Sequence, residues 1–173
     1  MSLTTQTRVI SDETKPGTTL TSRVLIVCDD DSNTETLQTV FREAGFLSEC
    51  AKSITAGCEA AKSGRFEVIV SVPVLSDGSW RRLIDVADHY DLSFEVVLLA
   101  RTFDLNQWAE ALEEGAFDVL DALQELPRAA EVASRALGAG HLKPYSARRL
   151  RLRPFQSLLL RDSRAGRPFF GPN

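Results

Sequence analysis

The sequence predicts an α/β protein built on a doubly wound, five-stranded parallel sheet, and two observations support this prediction. Short apolar runs rich in β-branched residues, at 24–28 (VLIVC), 66–72 (FEVIVSV) and 94–100 (FEVVLLA), are typical of strands that are covered on both faces. Each run is followed by a segment whose apolar residues recur at helical spacing, and five such strand–helix units fit within residues 23–137.

The first two units predict the amino-terminal part of the sheet. The run VLIVC (24–28) is followed by the polar letters DDDSN, which favour the start of a helix that stops at Gly45. Residues 46–51 predict a second, weaker strand. We expect Ser53 to cap a short helix that ends at Gly64.

The remaining units repeat the same alternation. We expect the fourth helix to begin at Asp104 and to turn Trp108, Ala109 and Leu112 toward the core. Predicted strands lie at 66–72, 94–100 and 117–120, and predicted helices lie at 80–89 and 123–137.

The charge of the chain separates the predicted domain, residues 23–138, from its two extensions. Residues 1–140 carry 12 Lys and Arg against 23 Asp and Glu, which gives −11, whereas residues 141–173 carry 8 against 1, which gives +7. Residues 1–22 are rich in Thr and Ser without apolar periodicity, which predicts a flexible arm. The basic tail, 139–173, contains four prolines that oppose a long helix, and we expect it to be disordered.

The basic tail has two interpretations. One is an arm that binds nucleic acid, anionic lipid or an acidic protein surface, because its arginines alternate with Leu and Phe. The other is a solvated extension, or one that docks Leu158, Leu159 and Leu160 on its own acidic domain. The segment is too short for a helix-turn-helix or a catalytic output domain.

Cysteine usage and apolar run length predict a cytoplasmic protein. No apolar run approaches the ~20 residues of a membrane span, and the first 20 residues have no apolar centre of the kind that a secretory signal needs. Cys28, Cys50 and Cys58 lack paired metal-ligand spacing, and each stands among apolar residues. We therefore expect all three to be small buried hydrophobic side chains, and we expect no cofactor.

Four segments of the chain resemble the response-regulator receiver family, over roughly Arg23 to Leu137. RVLIVCDDDSN resembles the first strand of the family with its acidic cluster, and FEVIVSVPVLSDGSW resembles the third strand with the turn that follows it. FEVVLLAR and ALEEGAFDVLDAL resemble the fourth and fifth strands with their flanks. The resemblance implies a flavodoxin-like, CheY-like fold with a phosphoryl-accepting site at the carboxyl edge of the sheet.

Three positions of that site fall on apolar residues. The resemblance places the phosphoacceptor position on Val72, the hydroxyl position on Leu99 and the lysine position on Ala122. Phosphoryl transfer needs an oxygen nucleophile, a divalent cation and a fixed cation that orients the product. The resemblance therefore implies a degenerate site that does not undergo aspartyl phosphorylation.

The acidic pair that holds Mg²⁺ in the family falls on Cys28 and Asp29, with Asp30 beside them. Asp29 and Asp30 are weak candidates for a cation, and a helix-start role is the favoured interpretation. We find no Lys or His in the segments predicted at this edge, so Cys28 has no activating base. Asp77, five residues beyond the acceptor position, is expected to point into its own loop as a turn residue.

The main functional hypothesis is a stand-alone pseudo-receiver: a non-enzymatic, phosphorylation-independent interaction module of two-component signalling. Its partner is an unidentified signalling protein, and a homodimer is a second candidate. The rival hypothesis is a nucleic-acid-associated adaptor that acts through the basic tail, and a third is a receiver that is still phosphorylated in a phosphorelay. The resemblance implies a partner surface on the fourth helix, fifth strand and fifth helix, with these candidates: Trp108, Glu110, Glu113, Glu114, Asp118, Asp121 and Arg128.

Overall fold

The computed structural model describes residues 22–140, which form one parallel sheet with helices on both faces. The predictions of a flexible arm, of a disordered tail and of nucleic-acid binding fall on residues 1–21 and 141–173, which lie outside the described residues. The strand order is β2-β1-β3-β4-β5, and all four neighbouring pairs are parallel, so the predicted fold class is confirmed. The strands are β1 (Arg23–Val27), β2 (Leu47–Ala51), β3 (Val68–Ser71), β4 (Glu95–Ala100) and β5 (Ala116–Asp121).

Two apolar clusters hold the five helices against the two faces of the sheet. Val24 and Ile26 of β1 face the cluster shared with the first and last helices, whereas Leu25 and Val27 face the opposite cluster. This alternation follows from the two-residue period of a strand, and β3 and β4 repeat it. The helices are α1 (Asp31–Glu43), α2 (Ile54–Ala61), α3 (Arg81–Tyr90), α4 (Leu105–Glu113) and α5 (Ala129–Gly140).

The start of the last helix differs from the prediction. A 3-10 turn, Leu126–Arg128, precedes α5, so the α-helix begins six residues later than predicted. Pro127 lies inside this turn, and a proline disfavours helical geometry in the residue before it. The side chain of Asp121 also accepts the backbone N–H of Leu123 at 2.7 Å, which holds the chain in a turn directly after β5.

The orientation of α4 was predicted wrongly. Its buried residue is Ala111 and Leu112 is half-buried, whereas Ala109 is exposed and the Trp108 side chain is 42% exposed. Helix α4 packs on β5, the outermost strand of the sheet, and therefore needs only a narrow apolar stripe. The start at Asp104 is confirmed, because its side chain accepts the backbone N–H of Gln107 at 2.8 Å in a capping box.

A two-residue antiparallel ribbon in the β3–α3 connection was not predicted. Val74–Leu75 pairs with Gly78–Ser79, and the ribbon leads into Trp80, which is 2% exposed. The backbone N–H of Trp80 donates to the carbonyl of Pro73 at 3.1 Å, so the connection folds back on itself before α3 begins.

Candidate functional site

The carboxyl edge of the sheet brings the predicted pocket residues together. Cys28 directly follows β1, Ala122 directly follows β5, and Leu99 is the penultimate residue of β4. All three are buried in the apolar cluster beneath α1 and α5, and the half-buried Val72, which follows β3, packs against the same cluster. The positions that the resemblance assigned to phosphoryl chemistry thus meet in an apolar patch.

Asp30 has both of its carboxylate oxygens engaged. Its Oδ1 accepts the backbone N–H of Asn33 at 3.0 Å, which caps the amino terminus of α1. Its Oδ2 accepts a hydrogen bond from the guanidinium of Arg101 at 2.7 Å. Arg101 directly follows β4, so this contact joins the β1–α1 and β4–α4 connections across the end of β3, which lies between the two strands.

A second cation neutralises the neighbouring carboxylate. The Nζ of Lys52, directly after β2, lies 2.6 Å from Oδ1 of Asp31, and this hydrogen bond raises the pKa of Lys52. The prediction of an edge without Lys is therefore wrong. Of the three consecutive aspartates that follow β1, Asp29 is the one for which the structure shows no ion-pair partner among residues 22–140.

The donor set at this edge does not fit Mg²⁺. That ion takes several oxygen ligands in near-octahedral geometry and is a poor match for a thiol. Asp30 already accepts hydrogen bonds from Asn33 and Arg101, and Cys28 offers sulfur in place of oxygen. Within the described range, no group of three or more His, Cys, Asp or Glu side chains could hold a metal ion.

The Cys28 thiol is held in its neutral form. It is buried, and it donates a hydrogen bond to the carbonyl of Asp30 at 3.7 Å. Burial raises the pKa of this thiol, and burial does the same for Cys58. Cys50 was expected to be buried but is exposed, because it lies on β2, the outermost strand at this side of the sheet.

Asp77 plays a larger part than the sequence predicted. Its carboxylate oxygens accept the backbone N–H groups of Ile54 at 2.9 Å and Thr55 at 2.7 Å, so it caps α2 from the β3–α3 connection. The prediction that it points into its own loop is wrong. The backbone hydrogen bond from Thr55 contributes most to lowering the pKa of Asp77 from 3.8 to about 2.

We expect Asp77→Asn to lower the thermal unfolding temperature at pH 7, because the amide cannot accept both N–H groups as a carboxylate does. A carboxyl group with a lowered pKa stabilises the fold above its unfolded pKa, and this contribution is lost as pH falls toward about 2. The difference from the wild type should therefore shrink between pH 4 and pH 2. Calorimetry across this range measures it.

The exposed Asp88→Asn in α3 is the matched control, because it removes one carboxylate without a capped helix terminus. An unfolding temperature of Asp77→Asn that stays equal to that of the control at pH 7 would contradict the capping role.

The predicted partner surface carries acids that are mostly paired within the domain. Glu110 of α4 and Glu114, which directly follows this helix, lie 3.5 and 2.5 Å from the guanidinium of Arg81 in α3. Asp118 of β5 lies 3.0 Å from the guanidinium of Arg135 in α5. These ion pairs join the edge helix and the edge strand to their neighbours.

Three other candidates on this surface differ in their contacts. Arg128 pairs with Glu125, and Asp121 accepts the backbone N–H of Leu123. For Glu113, which is exposed on α4, the described part of the chain provides no ion-pair partner. The sequence analysis missed Leu105, which stands 84% exposed in the first turn of α4.

Solved structures of receiver domains share this architecture. A response regulator receiver domain protein from Clostridium thermocellum aligns with a TM-score of 0.61 and 17% identity, covering 70% of this chain and 98% of that one. The signal receiver domain of a putative Luxo repressor protein from Vibrio parahaemolyticus aligns with a TM-score of 0.65 and 17% identity, covering 71% of this chain and 95% of that one. A CheY-like response regulator receiver domain protein from Methanospirillum hungatei aligns with a TM-score of 0.63 and 16% identity, covering 72% of this chain and 99% of that one.

These likenesses establish the fold: the chain has the flavodoxin-like α/β fold of response-regulator receiver domains. No protein-family model and no curated protein sequence matches the chain. None of the helices described between residues 22 and 140 is long and apolar enough to cross a membrane.

Proposed function

We propose that this chain is an atypical receiver module of response-regulator signalling that acts through protein contact and without aspartyl phosphorylation. The observation that carries the proposal is the carboxyl edge, where Cys28, Val72, Leu99 and Ala122 share an apolar cluster. On this proposal the module has no catalytic activity of its own.

The chemistry of phosphoryl transfer supports the proposal. An apolar Val72 offers no oxygen nucleophile, and a buried Leu99 cannot donate a hydrogen bond to a phosphoryl oxygen. Ala122 carries no charge that would orient a product. Each of the three positions thus lacks the group that the reaction needs.

Two ion pairs at the carboxyl edge also support the proposal. Arg101 and Lys52 supply positive charge to Asp30 and Asp31, the role that a bound metal ion would otherwise fill. Because Asp30 also caps α1, its position is fixed by backbone and guanidinium together. The edge therefore keeps one arrangement of charge without a ligand.

We expect incubation with acetyl phosphate and Mg²⁺ to leave the intact mass of the protein unchanged, because the apolar patch provides no acceptor. Intact-mass spectrometry checks this outcome. A receiver domain with an acceptor aspartate, treated in parallel, should gain one phosphoryl group and lose it in hydroxylamine. A hydroxylamine-labile adduct on this chain would overturn the proposed function.

The partner surface that we propose is formed by α4 and β5 with the adjoining α5. Trp108 and Leu105 supply exposed apolar area on α4, and Glu113 supplies a carboxylate free to meet a cation. Partly exposed aromatic side chains of this kind are common anchors in protein interfaces. The protein that we propose to bind there is a signalling partner.

A further inference from the structure

An exposed apolar stripe runs along the start of α4. Leu105 and Trp108 are three residues apart, so they lie on one face of the helix, and they are 84% and 42% exposed. Together with Phe103, Asp104 and Asn106 they line a shallow concavity. The capping box at Asp104 fixes where the helix begins and therefore where the stripe points.

The surface around this stripe is acidic. Residues 102–127 contain seven Asp and Glu and no Lys or Arg. Three guanidinium groups from outside this stretch, on Arg81, Arg128 and Arg135, pair with acids in it. Seven negative charges met by three positive ones leave a balance of −4 on this surface.

We propose that this surface binds the basic carboxyl-terminal segment of its own chain, residues 141–173. The segment has a balance of +7 and carries leucine and phenylalanine among its arginines, as in the stretch RRLRLRPFQSLLL at 148–160. It therefore matches the surface in charge and in apolar character. The proposal rests on the proposed function in one respect, namely that the bound segment covers the surface assigned there to a signalling partner.

The length of the segment allows this contact. The 33 residues that follow Gly140 span up to roughly 100 Å when extended. Helix α4, with nine residues, is about 13 Å long. The segment can therefore reach any point of the surface from the end of α5.

A second copy of the chain matches this surface less well. Two copies that met through the same surface would bring two balances of −4 together, and like charges facing each other disfavour the contact. The basic segment, in contrast, is attracted to this negatively charged surface. Charge complementarity therefore favours the segment over a second copy as the occupant.

The fluorescence of Trp108 in the full chain tests the proposal, since a bound segment shields this side chain from acrylamide. The contribution of Trp80, which is 2% exposed, is measured in Trp108→Phe and subtracted. One variant breaks the surface, Leu105→Ser. A second variant weakens the segment with four substitutions, R148Q, R149Q, R151Q and R153Q.

We expect both variants to raise the quenching of Trp108. In the first variant, loss of the Leu105 side chain, which the bound segment would bury, should shift the equilibrium about tenfold toward the released segment. Added salt should release the segment in the wild type, because it screens the attraction. Leu47→Ser is the matched control, because Leu47 is an exposed leucine on β2, at the opposite edge of the sheet, and its loss should leave the quenching unchanged.

Two results would overturn the proposal. Quenching that is equal in the wild type and in both variants would show that the segment does not cover Trp108. Shielding that grows with protein concentration would show that a second copy covers it. Neither result depends on acetyl phosphate, so this proposal and the proposed function can fail separately.

Discussion

Replacing Trp80 by Ala is expected to lower the free energy of unfolding by about 3–5 kcal/mol, the usual loss for a large aromatic side chain removed from a core. Trp80 is 2% exposed and belongs to the same apolar cluster as Leu75 and Leu83. Its removal leaves a cavity beneath the β3–α3 connection. Urea denaturation followed by circular dichroism measures the change from the midpoint and the slope.

Trp108→Ala is the matched control, because it deletes the same side chain from a half-exposed position on α4. We expect it to cost less than about 1 kcal/mol, since it leaves no enclosed cavity. Equal losses in the two variants would show that the core beneath α3 is less tightly packed than the structure indicates.

Val72→Asp is expected to cost about 1–3 kcal/mol at pH 7 and to gain no phosphorylation. Val72 packs against both apolar clusters, so a carboxylate there loses much of its hydration. Neither Leu99 nor Ala122 provides the hydroxyl or the cation that the reaction also needs. Urea denaturation and intact mass after acetyl phosphate treatment measure the two outcomes.

The pH dependence separates charge from polarity in this variant. Burial raises the pKa of a carboxyl group, so the group introduced at position 72 becomes neutral as pH falls toward 4, and the loss of stability should shrink. Val72→Asn, which is polar but carries no charge, should show a loss that does not depend on pH. A phosphoryl adduct on Val72→Asp with undiminished stability would contradict our account of the edge.

The fold could be predicted from the sequence because its central strands are buried on both faces and are therefore rich in apolar residues. Strands β3 and β4 are buried at every residue, and apart from Ser71 and Glu95 their residues are apolar. The orientation of α4 could not be predicted in the same way. Trp108 is the largest apolar side chain of that helix, yet the sheet edge accepts only the small side chain of Ala111. Helical spacing does not distinguish these two faces.

The apolar half of the candidate site was predictable, and the charged half was not. Cys28, Val72, Leu99 and Ala122 follow from where strands end, because parallel strands end at a common edge. The contact between Arg101 and Asp30 joins residues that are 71 positions apart. No local pattern encodes that pairing, since it depends on the order of the strands in the sheet and on a side-chain conformation.

The Arg101–Asp30 contact also has a consequence for how a signal could be carried. Arg101 belongs to the same chain as Asp30, so it competes for that carboxylate at an effective concentration fixed by the fold, whereas a dissolved cation competes at its free concentration. On the proposed function, the charge of the edge then does not follow the supply of metal or of phosphodonor.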